Sequence, residues 1–171
     1  YLKVPSACNL DFELLEYLAS KFKNKIHLSL GMTSEREIKK IVNFFIKKKR
    51  VKDLVLYACT SDYPADFDDL CLLEISKLNK KYSSKINSVA FSGHHNGIAI
   101  DVGAFTLGAK YIERHFTLNR TWKGTDHAAS LEPDDLSKLV RDVNNMYKSL
   151  TFKSKNILQA EKFQRNKLKR L

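Results

Sequence analysis

The stretch Ser92–Pro133, SGHHNGIAIDVGAFTLGAKYIERHFTLNRTWKGTDHAASLEP, carries most of the information about the fold. It contains a short apolar run, Lys110–Glu113, that is typical of a buried strand, and it follows a similar run at Ser88–Phe91. His94 and His115 come just after these runs, 21 positions apart, which is the length of one strand-plus-helix unit. The spacing predicts two consecutive parallel strands that bring both imidazoles to the same edge of a sheet.

The same alternation of short apolar runs and longer amphipathic segments extends towards the N-terminus. Strands are predicted at Leu2–Pro5, Lys25–Ser29 and Asp53–Tyr57, and apolar residues recur at helical spacing between them. On the other side, Ser130–Pro133 predicts the start of a closing helix, because proline and the two aspartates that follow it suit a first turn. The pattern predicts an α/β protein with a parallel sheet. Periodicity alone leaves open whether that sheet is doubly wound or part of a barrel.

Composition narrows the possible classes of protein. The 171 residues are 43% apolar, which suffices for a core, and no apolar run has transmembrane length. The net charge of +11 is concentrated in residues 151–171, with seven basic residues against one acid, and in Lys47–Arg50. Such clusters can bind nucleic acid but are more typical of a solvated face, so no nucleic-acid or membrane partner is expected. Three cysteines without metal-type spacing indicate reduced thiols and a cytoplasmic location.

The chain starts at Tyr1 and enters a predicted strand at once, without an initiator methionine. We therefore expect it to be a fragment of a longer protein. Residues 1–150 are expected to form the α/β unit, and residues 151–171 a basic helical or extended tail.

Polar side chains cluster at or just past the ends of the predicted strands. They are Ser6, Ser29, Ser61 with Tyr63, Ser92 with His94, and His115. Because the carboxyl ends of parallel strands meet on one face, these side chains predict a ligand site there. Two imidazoles with water or substrate oxygens suit a divalent transition metal, although each histidine could simply hydrogen-bond a loop.

Three further residues have both a functional and a structural interpretation. Asp126 could be a base, a substrate ligand or a residue at the start of a helix. Tyr63 precedes Pro64 in what could be an ordinary turn. Lys3 would need an anionic partner if it pointed into a barrel, and would need none if it pointed to solvent.

Several segments resemble those of the sialic acid synthase family. Residues 91–100, FSGHHNGIAI, are similar to the family's YSGHETGIAI. Residues 107–118, LGAKYIERHFTL, resemble LGA..IE(K/R)HFTL, and residues 121–133, TWKGTDHAASLEP, resemble TWKGSDHSASLEP. Shorter similarities lie at CTSDYP (59–64), LSLGM (28–32) and LKVPS (2–6), so the resemblance covers residues 1–150 in order.

The resemblance implies a (β/α)8 TIM barrel of which this chain supplies strands four to eight. It implies condensation of phosphoenolpyruvate with an N-acyl hexosamine, typically N-acetylmannosamine, to a nine-carbon 2-keto sugar acid and phosphate. Family members usually carry a further antifreeze-like domain that reaches the partner's site in a homodimer. Nothing after about residue 150 resembles that domain, so we expect it to be absent or truncated.

The resemblance also assigns roles by motif. His94 and His115 would ligate the divalent ion, usually Mn²⁺, with Mg²⁺ or Co²⁺ as alternatives. The phosphate and carboxylate of phosphoenolpyruvate would be bound by Lys3, Ser6, Ser29, Ser92 and, in place of a frequent asparagine, Ser61. The sugar would contact Tyr63 and Asp126, which are the candidate catalytic residues.

The chain departs from the family pattern at two positions. Cys8 stands where an acid usually follows the strand-end serine, and Gly93 stands where many members have aspartate. Cys8 leaves open a synthase of another nonulosonic acid, of the legionaminic or pseudaminic type, or a degenerate barrel that only binds a sugar or anion. Because the first three barrel strands would be missing, the chain alone is expected to be inactive.

Overall fold

Five parallel strands form one sheet in the computed structural model, which describes residues 1–170. The strands are β1 (Leu2–Val4), β2 (Ile26–Ser29), β3 (Leu54–Cys59), β4 (Ser88–Gly93) and β5 (Ile112–Arg114). The helices are α1 (Phe12–Lys21), α2 (Glu35–Lys47), α3 (Leu73–Tyr82), α4 (Ala99–Thr106), α5 (Pro133–Ser149) and α6 (Gln159–Leu168). Short 3-10 turns lie at Ser6–Cys8, Val51–Asp53 and Phe67–Asp69.

The order of the strands decides between the two architectures that the sequence allows. Neighbours in the sheet are neighbours in the chain, β1-β2-β3-β4-β5, and all four pairings are parallel. A doubly wound sheet would reverse its strand order at one point, whereas a barrel never does. The sheet is therefore an arc of a (β/α)8 barrel, which confirms the predicted fold class.

Side chains alternate between the two faces of each strand, as pleating requires. On β3, Leu54, Leu56 and Ala58 join the main apolar core with the helices. Val55 and Tyr57 point to the opposite, inner face and contact Ala90 there. The inner face, which we call the lumen, thereby receives the alternate residues of every strand, and these include most of the polar ones.

Local sequence signals set the starts of the helices. Ser34 precedes α2, where its hydroxyl accepts from the Glu37 amide and the Glu37 carboxylate accepts from the Ser34 amide at 2.8 Å. The helix α5 begins at Pro133, as the sequence predicts. The basic tail contains α6, none of whose residues is buried. Over residues 1–170, every helix is too short or too polar to cross a membrane.

Candidate functional site

A network of charged and hydroxyl groups crosses the lumen. The Lys3 ammonium donates to Ser29 Oγ at 2.8 Å and lies 2.9 Å from Glu113 Oε1. Ser92 Oγ donates to the same carboxylate oxygen at 2.9 Å. The four side chains come from β1, β2, β4 and β5, so the curvature of the sheet brings residues of its two edge strands into contact. Lys3 thus points inward, and Glu113 is the anionic partner that this orientation requires.

Two further serines meet above this network, beside Gly31. Ser6 Oγ accepts a hydrogen bond from the Gly31 amide at 3.0 Å. A Cβ on Gly31 would lie 2.7 Å from Ser6 Oγ and 2.1 Å from Ser61 Oγ, so both hydroxyls lie close against this backbone. Ser61 Oγ is buried and has no partner within ordinary hydrogen-bond distance among residues 1–170, although it lies near enough to the Tyr63 phenol to lower the pKa of that group slightly. A buried hydroxyl without a partner is costly, which marks Ser61 as a group able to bind a ligand.

The two histidines at the ends of β4 and β5 face each other. Their ring centroids are 5.1 Å apart and the rings are nearly perpendicular, at 85°. His94 Nδ1 lies 2.7 Å from the carbonyl oxygen of Thr60, and His115 Nδ1 lies 3.4 Å from Asp126 Oδ2. If Nδ1 of each ring carries the proton in these contacts, the lone pair of each Nε2 remains for a ligand.

Tyr63 lies against both imidazoles, with its ring centroid 4.3 Å from that of His94 and 5.6 Å from that of His115. Burial lowers the pKa of His94, and the neighbouring His115 lowers it further. Burial also raises the pKa of the Tyr63 phenol, with a contribution from Cys59. At neutral pH these shifts favour an uncharged imidazole and an uncharged phenol, and the uncharged imidazole is the form that ligates metal ions.

This donor set fits an open transition-metal site. It provides two imidazoles, and Nδ1 of each lies near an oxygen, of Thr60 for His94 and of Asp126 for His115. Metal-ligating histidines usually have such a partner, which fixes the orientation of the ring. In the part of the chain that the structure describes, no cluster of three or more histidine, cysteine or acidic side chains could hold an ion. An ion here would therefore complete its shell with water or substrate oxygens, as catalytic sites do.

Asp126 lies in the loop after β5, at the outer side of the histidine pair. Its carboxylate is about half exposed, and its loop lines a cavity of about 420 Å³ together with His115 and His127. The alternative that Asp126 starts a helix is wrong, because α5 begins seven positions later with Glu132 as its N-cap. In the same loop, His127 Nδ1 lies within hydrogen-bond distance of Thr117 Oγ1, at 2.8 Å.

Glu113 contacts two of the predicted anion ligands, Lys3 and Ser92, but was not itself predicted from the sequence. A signal was available, because Glu113 lies two positions before His115 and alternate residues of a strand share a face. Cys8 packs against the apolar core on the helix side of the sheet and so adds no polar group to the lumen. A Cβ on Gly93 would lie 2.8 Å from Phe91 Cε1 and 2.9 Å from His95 Cε1, so an aspartate there would require both rings to shift.

The structure therefore brings the predicted site residues together in two adjoining groups. Lys3, Ser29 and Ser92 meet in the lumen, with Ser6 and Ser61 beside Gly31. The histidine pair forms the second group, with Tyr63 and Asp126, where the carboxyl ends of the strands meet, which we call the rim. The ligands and roles assigned to these residues remain predictions.

Comparisons with known proteins show which family the chain resembles. The profile of the NeuB family matches residues 1–155. Human N-acetylneuraminate-9-phosphate synthase is 39% identical over 161 residues, which cover 94% of this chain and 44% of that protein. The N,N'-diacetyllegionaminic acid synthase of Campylobacter jejuni is 35% identical over 86% of this chain and 43% of its own length. The chain thus spans a little under half the length of these curated relatives.

The fold has a close counterpart among solved structures. The crystal structure of N-acetylneuraminic acid synthetase from Leptospira borgpetersenii, in complex with citrate, superposes with a TM-score of 0.81 at 34% identity. The superposition covers 99% of this chain and 59% of that one.

Proposed function

The chain belongs to the NeuB family, and we propose that the protein condenses phosphoenolpyruvate with an N-acyl hexosamine such as N-acetylmannosamine. The products are a nine-carbon 2-keto sugar acid and phosphate. One observation carries the proposal: an ammonium and several hydroxyl groups in the lumen adjoin a pair of facing imidazoles at the rim. The first suits a phosphorylated carboxylic acid, and the second suits the oxygens of a sugar.

The anion site would bind the phosphate and carboxylate of phosphoenolpyruvate through Lys3, Ser6, Ser29, Ser61 and Ser92. The Lys3 ammonium has three N–H donors and directs two of them to Ser29 and Glu113, so one remains for a substrate oxygen. The unpartnered Ser61 hydroxyl would gain a partner when the substrate binds.

The rim would hold a divalent ion, Mn²⁺ or alternatively Mg²⁺ or Co²⁺, through the Nε2 atoms of His94 and His115. The bound ion would supply a Lewis acid for the aldehyde of the open-chain sugar. The Thr60 carbonyl keeps the His94 ring in one orientation. Tyr63 packs on both rings and would, with Asp126, orient the hydroxyls of the sugar.

The reaction follows from holding both substrates side by side. The enol carbon of phosphoenolpyruvate attacks the aldehyde carbon and forms the new C–C bond, while the C=O π bond opens and the aldehyde oxygen takes up a proton from water. Water then adds to the resulting oxocarbenium-like carbon, and phosphate leaves with cleavage of the C–O bond. Glu113 lies beside the anion ligands Lys3 and Ser92, so its carboxylate is placed to accept a proton from that water.

The relatives do not identify the sugar, because synthases of different sugar acids are similarly identical to this chain. Curated relatives include a synthase of pseudaminic acid, 34% identical over 133 residues, besides the sialic and legionaminic acid synthases. Position 8 offers a thiol that packs into the core rather than a carboxylate. A legionaminic- or pseudaminic-type substrate is therefore the second candidate. We also propose a homodimer and a cytoplasmic location.

The test combines metal binding with product formation in the full-length protein. Mn²⁺ affinity is measured from the electron paramagnetic resonance signal of free Mn²⁺, and phosphate release from phosphoenolpyruvate is measured with several N-acyl hexosamines. His94→Ala and His115→Ala should each lower Mn²⁺ affinity at least about 100-fold. His27→Gln, which removes a buried imidazole from the same sheet, should leave the affinity unchanged.

Three results would contradict the proposal. Wild-type affinity for Mn²⁺ in both histidine variants would show that these residues do not hold the ion. Absent phosphate release with every sugar would indicate a barrel that binds ligands without catalysis. Phosphate release that does not depend on the sugar would indicate hydrolysis of phosphoenolpyruvate rather than condensation.

A further inference from the structure

Arg114 has a buried side chain that is not among the proposed ligands of the substrates or the metal ion. It lies on β5 between Glu113 and His115, and pleating turns its side chain away from the lumen, towards the helices. The side chain is 3% exposed, and its counter-charge is the fully buried carboxylate of Asp101 on α4.

The guanidinium joins three separate segments. One terminal nitrogen donates to Gly97 O at 2.8 Å and to the Asp101 carboxylate, and it lies 3.2 Å from His95 Nε2. The other donates to the carbonyl oxygens of His95 and, at 3.4 Å, of Ala129. These groups belong to the loop after β4, to α4 and to the loop after β5.

Each segment adjoins a residue of the proposed site. His95 follows His94 directly, Ala129 lies three positions after Asp126 in the same loop, and Arg114 itself precedes His115. We infer that Arg114 is a positioning residue that sets the separation of the two imidazoles and so the affinity of the site for its divalent ion. The inference rests on the proposed function, because it concerns the same metal site.

An ion pair alone would not need an arginine. A lysine could neutralise Asp101, but its three donors lie on one nitrogen, whereas the planar fork of arginine reaches the carbonyl groups of Gly97, His95 and Ala129 from two nitrogens. We call the hydrogen bonds from Arg114 to the carbonyl groups of Gly97, His95 and Ala129 the brace. Mutation can therefore separate the effect of the Arg114–Asp101 ion pair from the effect of the brace. Replacing both members of a buried ion pair with apolar side chains often leaves stability unchanged, because no lone charge remains buried.

The test uses the Arg114→Met/Asp101→Leu double variant of the full-length protein, which removes the brace without leaving an unpaired charge. A matched control exists at the opposite end of the sheet. Arg50 also pairs with an aspartate, Asp53, and donates to the carbonyls of Ala19, Phe22 and Asn24. The control variant is Arg50→Met/Asp53→Leu.

We expect the Arg114→Met/Asp101→Leu variant, called the 114/101 variant, to bind Mn²⁺ about 10-fold more weakly than wild type. This is the usual effect of removing a group that orients metal ligands. The 50/53 variant should stay within about two-fold of wild type, and Arg114→Lys should lie between wild type and the 114/101 variant. The KM for phosphoenolpyruvate should not change in any of them, because Lys3 and Ser29 are outside the brace. A structural collapse would instead raise that KM as well.

Wild-type Mn²⁺ affinity in the 114/101 variant would overturn the inference, as would an equal loss in the 50/53 control. Failure of the proposed function gives a different result, namely a wild-type protein that binds no Mn²⁺ or releases no phosphate. If the Arg114→Met/Asp101→Leu variant does not fold, the Mn²⁺ affinity of the Arg114→Lys variant tests the inference instead. Wild-type Mn²⁺ affinity in Arg114→Lys would then overturn it.

Discussion

Substitution of Gly31 by alanine tests whether the serines beside it form the anion site. Gly31 follows β2, and its amide donates to Ser6 Oγ. An added Cβ would lie 2.1 Å from Ser61 Oγ, which is 1.3 Å short of the 3.4 Å at which ordinary contact begins. It would also lie 2.7 Å from Ser6 Oγ. Both hydroxyls must therefore move, Ser61 by more than an ångström.

The size of the effect follows from that displacement. A misplacement of about 1 Å in a substrate-positioning group can cost about 100-fold in rate, or about 2.7 kcal/mol of transition-state stabilisation. We therefore expect kcat/KM for phosphoenolpyruvate to fall about 100-fold in Gly31→Ala. Stability should fall by only about 1 kcal/mol, because the strain of overpacking is offset by the lower entropy of the unfolded chain.

The assay is steady-state phosphate release, combined with the rise in Tm that phosphoenolpyruvate produces. Gly103→Ala is the matched control, because a Cβ there would meet only Leu72 Cδ1 at 3.6 Å. Gly103 lies inside α4, so alanine should stabilise the protein by about 0.5–1 kcal/mol without affecting the KM. A Gly31→Ala variant with a kcat/KM for phosphoenolpyruvate within two-fold of wild type would refute the reasoning.

Three other expectations can be measured on the same protein. Burial lowers the pKa of His27 from 6.5 to about 4, so the unfolded chain takes up a proton first as the pH falls. The free energy of unfolding, measured in urea titrations, should therefore decrease by about 3 kcal/mol between pH 6.5 and 4. The His27→Gln variant should show a smaller decrease over the same range. A double-mutant cycle of Lys3→Met and Glu113→Gln should give a coupling energy of about 1 kcal/mol, since the pair is partly exposed, and zero coupling would argue against the contact. Ser61→Ala should keep or raise the Tm, because a buried hydroxyl without a partner is removed, yet raise the KM for phosphoenolpyruvate about 10-fold; a lower Tm would show that the hydroxyl has a partner.

Local patterns predicted the order and type of the main elements, because strand and helix periods are properties of neighbouring residues. The predicted closing helix at Ser130–Pro133 begins at Pro133. One strand boundary differs from the prediction, because β4 runs to Gly93 rather than to Phe91. The reason is long-range, since Gly93 is held in the strand by its pairing with Arg114 of β5.

The candidate site was predictable where its residues come directly after strands. The imidazoles of His94 and His115 lie together because consecutive parallel strands end on the same side of a sheet. Glu113 and Arg114 were not recognised, although both lie in the stretch that carries the strongest sequence pattern. Their importance depends on partners elsewhere in the chain, Lys3 for one and Asp101 for the other.

The sequence by itself determined that Ser92–Pro133 forms a strand, a rim loop and the start of a helix, and that its histidines follow strands. Only the tertiary structure decided that the five strands curve into an arc of a barrel, and which side chains meet across its lumen. The physical reason is that the two- and 3.6-residue periods report which face of an element is buried, whatever it packs against. Strand order and curvature arise from pairing between distant segments, and that pairing places Lys3 of the first strand against Glu113 of the last.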